Sequence, residues 1–141
     1  MEQGLTISIV DPDDDYLGIE ISAANPRFAG ATRIYAGLNE LSSFASRIEG
    51  FPAASKDERD FEFGSKDNGV AGGFASLRFH CVDGSGHTAL KIALDDDDLL
   101  HAPASAEFVF RFHAADLDRF TTRLRDVEKR RSGQAILPAA V

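Results

Sequence analysis

The sequence predicts an α+β fold: a mostly antiparallel, curved sheet of six to seven strands with two helices packed on one face. Three observations predict it. Apolar residues alternate with polar ones over a series of short stretches, the period of half-buried strands. Twice that period lengthens to a helical one with a single apolar stripe. The links between neighbouring strands are short, and short links join antiparallel strands. The 141 residues match the commonest size for one domain. The reading divides them into one domain over 1–133 and a frayed tail over 134–141. A domain of this size buries roughly 68–70% of its unfolded surface, so it needs no disulfide or metal to hold it.

The elements follow in order. Leu5, Ile7 and Ile9 alternate with Thr6 and Ser8 in a first strand. Asp11-Pro12-Asp13-Asp14-Asp15 turns the chain, because Pro fixes φ and Asp bonds its own backbone. Leu17, Ile19 and Ile21 make a second strand, which Asn25-Pro26 breaks. Residues 27–35 read as a third, with Phe28, Thr32 and Ile34 on one face. From Gly37 to Gly50 the apolar residues Leu38, Leu41, Phe44, Ala45 and Ile48 fall on one helical stripe. Asn39 suits the N-cap and Gly50 the position after the last turn.

A polar linker leads to a short fourth strand with Phe61 and Phe63 on one face, and residues 64–73 form a glycine-rich loop. Residues 74–95 predict a hairpin around Asp83-Gly84-Ser85-Gly86. Pairing Val82 with His87 sets Phe79 opposite Leu90 and Leu77 opposite Ile92, and a slip of one residue would put core side chains opposite solvent-facing ones. Asp95 to Asp98 ends that strand and Leu99 to Ala104 crosses over. Ala106, Phe108, Phe110 and Phe112 then alternate with Glu107, Val109, Arg111 and His113. The period switches near Ala114 to a last helix on Leu117, Phe120, Leu124 and Val127. Asp116 and Asp118 begin it, Lys129, Arg130 and Arg131 end it, and both placements complement the helix dipole. Gly133 suits its terminus. No internal repeat and no low-complexity segment beyond the two Asp runs is apparent.

Charge and composition exclude some functions. The net charge is −8, which argues against a nucleic-acid backbone as partner, since that needs clustered Lys and Arg. It fits solubility or a basic protein partner. Cys81 is the single cysteine, so no internal disulfide forms, as in a reducing compartment. Met1-Glu2-Gln3-Gly4 shows no basic region before an apolar run, and no apolar stretch approaches the 18 or so residues of a membrane span. A cytoplasmic protein with no membrane contact is expected.

The residues that suggest chemistry read as structural. Asp11, Asp13 and Asp15 begin like a calcium loop, but Tyr16 and Ser22 stand where such a loop needs Gly and Glu. A solvated turn is the better reading. His80 and His87 share the outward face of the hairpin, diagonally placed, yet no third or fourth zinc ligand follows at recognisable spacing; His101 and His113 lie apart. Cys81 points inward beside Phe79, where a thiol behaves as a small hydrophobe. Gly84-Ser85-Gly86-His87 lies in a hairpin turn, unlike a nucleophile elbow, and residues 69–73 are followed by no Gly-Lys-Ser/Thr. No cofactor, metal or catalytic residue is expected, and the chain reads as a non-enzyme. Two surfaces remain as candidate binding sites: the outward residues Glu107, Val109, Arg111 and His113, and the helix stripe Arg119, Arg123 and Arg130, with Arg125 and Lys129 flanking it.

Phe28-Ala29-Gly30, Leu38-Asn39-Glu40-Leu41-Ser42-Ser43-Phe44, Gly84-Ser85-Gly86-His87 and Leu117-Asp118-Arg119-Phe120 carry a likeness. From about Phe28 to Val127 the chain resembles the WapI-like immunity proteins of bacterial polymorphic-toxin systems. The resemblance implies a cytoplasmic non-enzyme that binds and blocks a toxin partner encoded nearby. The alternative expectation is a homodimer joined through a sheet edge or the open sheet face, suggested by the outward Val10, Val82 and Val109. A third is a small-molecule enzyme using the concave face of the sheet.

Overall fold

The computed structural model describes residues 2–65, 72–96 and 102–140. Strands β1 (Gly4–Pro12), β2 (Leu17–Ala24) and β3 (Ala29–Ala36) form an antiparallel meander, followed by helix α1 (Glu40–Ile48). Strands β4 (Glu58–Gly64), β5 (Phe74–Cys81), β6 (Thr88–Asp96) and β7 (Ala104–Phe112) form a second antiparallel series. A single 3-10 turn (Ala114–Asp116) leads into α2 (Leu117–Arg130), and β8 (Gln134–Pro138) follows. Most of the predicted 64–73 loop, Asp97 and Asp98, His101 and the start of the crossover at Leu99 lie outside the described residues.

The α+β class, the antiparallel pairing and both helices agree with the sequence. The single sheet of six to seven strands does not: the strands form two four-stranded sheets, ordered β3-β2-β1-β8 and β4-β5-β6-β7. Alternation tells which side of a strand faces inward, but not which strands are neighbours. Residues 134–138, expected as a frayed tail, pair antiparallel with β1 from Gly4↔Pro138 to Ser8↔Gln134. Ala135 and Leu137 are buried there. Their short alternation gains its meaning only from the edge of β1, far away in sequence.

The helix ends also differ from expectation. Asn39 makes no side-chain cap; the Glu40 carboxylate accepts the Gly37 N–H instead, at 3.0 Å. Leu38 precedes α1 and is exposed. At the end of α2 Arg131 takes the left-handed conformation, with φ 58°, and Gly133 two residues on also has a positive φ, 97°. The Ser132 N–H then bonds Val127 O at 3.2 Å, which closes the last turn.

The chain contains a repeat that its residues conceal. Each sheet is a three-stranded meander running into a helix, flanked by a fourth strand beside the first of the three. Register matches the two sheets residue by residue. The inward row Ala135–Ile7–Ile21–Thr32 corresponds to Phe61–Leu77–Ile92–Phe108. In the helices Leu41, Phe44 and Arg47 correspond to Leu117, Phe120 and Arg123. The equivalent arginines make equivalent bonds. Arg47 Nε donates to Asp60 O at 3.3 Å and Arg123 Nε to Gln134 O at 3.0 Å, and register makes Asp60 and Gln134 counterparts. Gly30 and Ala106 are counterparts too, and they touch. A Cβ on Gly30 would stand 3.2 Å from that of Ala106. Counterparts meet each other only where a twofold relation passes.

The halves interlock around one core. α1 packs on β4 and α2 on β8, so each helix leans on the other half's sheet. The Phe44 ring lies 5.1, 5.2 and 6.0 Å from those of Phe61, Phe63 and Phe79, and 6.2 Å from Phe120. Glu128 of α2 accepts from the N–H (3.1 Å) and hydroxyl of Ser42 on α1. Arg125 of α2 bonds Glu49 and Ser46 at the other end of α1. Strand β3 crosses the end of the second sheet, where Gly73 N–H donates to Arg33 O at 2.8 Å and the Thr32 hydroxyl to Asp95 O at 2.9 Å. Burial of each large apolar side chain contributes about 1.5–3 kcal/mol. The inward faces of both sheets and the apolar stripes of both helices share that single cluster.

Candidate binding face on the second sheet

The inward positions of both halves are mostly apolar; the outward ones differ in charge. On the first sheet the outward positions are largely small and neutral: Thr6, Ser8, Ser22 and Ala31, with Glu20 paired to Arg33 at 3.4 Å. On the second sheet three rows cross the strands: Glu58–His80–Ala89–Arg111, Asp60–Arg78–Lys91–Val109 and Glu62–Ser76–Ala93–Glu107. Neither helix covers these rows. The second and third rows floor an open groove of about 610 Å³, lined by Asp60, Phe61, Glu62, Ser76, Arg78, Lys91, Ala93 and Glu107, with Arg47 of α1 at its side.

The centre of this face is neutralised and its margins are not. Arg78 Nε meets Asp60 Oδ1 at 2.9 Å, and Lys91 Nζ meets Glu107 Oε1 at 3.0 Å. The Asp60 hydrogen bond, and then the charges of Asp60 and Glu58, hold Arg78 more firmly protonated than an ordinary guanidinium. Among the described residues, Glu58 and Glu62 on β4 and Arg111 on β7 enter no ion pair. Unpaired acid therefore lies on β4, and a single unpaired base, Arg111, on β7. Six of the nine lining positions are charged, unlike the mostly apolar lining of a small-molecule pocket.

Of the residues the sequence singled out, Glu107, Val109 and Arg111 lie on this face, and Val109 is 44% exposed. His113 is exposed just beyond β7, where its carbonyl accepts from the Asp116 N–H that starts the 3-10 turn. The arginine stripe of α2 is not the free surface it promised to be. Arg123 is bound to Gln134 O and to Asp126 at 2.7 Å; Arg130 is bound to the same carboxylate at 3.0 Å. Arg125 ties the helices together. Arg119 extends outward, 3.8 Å from Asp116. His87 pairs with Asp83 at 2.7 Å within the hairpin turn, and that hydrogen bond holds the Asp83 carboxyl below the usual range. Cys81 is half-buried, and desolvation raises its thiol pKa, as do Asp57 and Asp83. In the Asp11–Asp15 turn, Asp13 accepts the Asp15 N–H and Asp11 the Tyr16 hydroxyl, so local bonds use these carboxylates.

Sequence reading passed over Asp60, Glu62, Arg78 and Lys91. The signal was present: the register that sets Phe79 opposite Leu90 also sets Arg78 opposite Lys91. Phe28, expected on one strand face with Thr32 and Ile34, does not share their burial and stands 64% exposed. Asn25 is the reason. Its Oδ1 accepts the N–H groups of Arg27 (2.9 Å) and Phe28 (2.8 Å), and its own N–H bonds Phe28 O. This closes a turn over 25–28 and delays the strand to Ala29. The Asn25 Nδ2 then donates to Val109 O at 3.1 Å, which fastens the turn to the margin of the second sheet. No protein-family model matches the chain, and no curated protein matches it.

Proposed function

We propose that this is a non-catalytic binding protein that holds a protein partner on the outward face of β4–β7, acting in the cytoplasm as an immunity protein against a toxin encoded nearby. One observation carries the face: two halves on one topology differ outward, with a single ion pair among small residues on the first sheet and charges in every row of the second. Core residues are constrained by packing, so a charged face that its counterpart lacks calls for another cause. The net charge of −8 favours a basic partner through electrostatic steering. The toxin reading adds the likeness of residues 28–44 and 117–120 to WapI-like immunity proteins. Among the described residues no helix is long and apolar enough to cross a membrane.

The test is co-expression with the product of the neighbouring gene. A complex should co-purify, relieve that product's toxicity, and be lost in the double variant Arg78→Glu/Lys91→Glu. A neighbour that is neither toxic nor associated would sink the proposal.

A further inference from the structure

Resting on that reading of the charged face, we infer that Phe28 is the anchor of the interface, and that the partner presents an apolar socket rimmed by carboxylates. Phe28 stands 64% exposed in a turn that Asn25 ties to Val109 O on β7, the strand that edges the face. Its turn is already rigid: Asn25 holds it with three bonds and fastens it to Val109 O with a fourth. An anchor fixed before binding loses little freedom on docking, and buried aromatic anchors dominate interface energies. Arg27 precedes it in the turn, and Arg111 lies two residues from Val109 on β7; neither enters an ion pair among the described residues. Carboxylates must therefore rim the socket that receives the ring. At the opposite margin Glu58 and Glu62 call for basic side chains.

Register decides against a second copy of this chain as the occupant. A twofold along the strands would stack Arg78 over Lys91 and Glu62 over Glu107. A twofold across them would stack Glu58 over Glu62, and Asp60 over its own copy. Both bring like charges together, which costs an interface several kcal/mol. The dipolar face fits a different protein of opposite arrangement.

The experiment measures the Kd of the full chain for the neighbouring gene product by calorimetry, with Phe28→Ala, Arg111→Glu, Arg78→Glu/Lys91→Glu, and Arg33→Glu on the first sheet as control. Phe28→Ala should weaken binding roughly 30-fold with an unchanged melting curve, Arg111→Glu roughly 10-fold, and the control not at all. A complex lost in the Arg78/Lys91 variant but unmoved by Phe28→Ala overturns the anchor and leaves the face standing. A complex weakened only by Arg33→Glu overturns both, as does no complex. Sedimentation of the protein alone adds one outcome. Self-association at tens of micromolar that Phe28→Ala abolishes would make the occupant a second copy and overturn the assignment to a different protein.

Discussion

The two halves fill equivalent inward positions with different materials. On the first sheet, Ala135, Thr32, Ile34 and Ala36 stand where the second has Phe61, Phe108, Phe110 and Phe112. Leu137 stands for Phe63 and Ile9 for Phe79, while Leu5 is replaced by the smaller Ala75. One sheet is aliphatic and the other aromatic, on one topology. The lesson is that the inward pattern specifies a fold more strongly than residue identity. The connection after each helix teaches the same. Between Ile48 and β4 the chain forms a loop, which Arg59 of β4 holds by donating to Arg47 O and Glu49 O and pairing with Asp57. From Leu124 to Gln134, nearly as many residues continue the helix and close it at Arg131. A carboxylate–guanidinium pair does in one half what helical hydrogen bonds do in the other.

The largest expected effect tests the aromatic asymmetry. Phe44 packs on rings of the second sheet, whereas its counterpart Phe120 meets one ring, that of Phe44. Phe44→Ala should cost about 4 kcal/mol and Phe120→Ala about 3, by urea unfolding. Equal costs, or the reverse order, would break the comparison. Next comes the meeting point of the halves. Gly30→Val should cost about 2 kcal/mol by overpacking against Ala106 and Leu94, 3.2 and 3.4 Å from a Cβ there. A neutral result would mean that the halves do not press together at that point. The arginine clamps come third: Arg47→Ala and Arg123→Ala should each cost about 1 kcal/mol, with similar values for the two. Values far apart in thermal melts would show that the equivalent bonds are not equivalent in strength.

The smallest effect is confined to acid. The Arg59 side chain, and after it the Ala53 N–H, hold the Asp57 carboxyl below its ordinary value of 3.8. A carboxyl lowered on folding stabilises above its unfolded value, and the gain fades as pH falls through the folded one. The native chain should therefore exceed Asp57→Asn in stability above pH 3.8, with the gap closing below it. The first loss of hydrogen-exchange protection should appear at the end of α1, with α2 unmoved. Loss at both helix ends together would count against a device peculiar to the first half.

Local features were the legible ones. The hairpin register, with Leu77 opposite Ile92, Phe79 opposite Leu90, and Val82 N–H donating to His87 O at 2.9 Å, follows from alternation and turn residues alone. So do β7 and α2, whose stripe Leu117, Phe120, Leu124 and Val127 is buried. The division into two sheets was not legible, because it depends on β8 reaching β1 across the whole chain. The repeat was hidden for a related reason: each flanking strand follows the helix of the other half, so the copies are interleaved. Of the binding face, the outward side of β7 could be read from its period. Phe28 could not, since its place depends on which backbone groups Asn25 binds. Arg123 was misread because the carbonyl that holds it belongs to a strand taken for a tail.

The pairing of β8 with β1 gives the molecule an order of assembly on the ribosome. Strands β4 to β7 are contiguous in the chain and can close as one sheet while synthesis continues. The first sheet begins earlier and is completed later. Until Gln134–Pro138 emerges, β1 keeps an unpaired edge, with Leu5 and Ile7 beside it. An open edge of this kind recruits foreign strands. The nascent chain is thus most exposed to misassociation through its oldest segment, and its youngest strand ends that exposure.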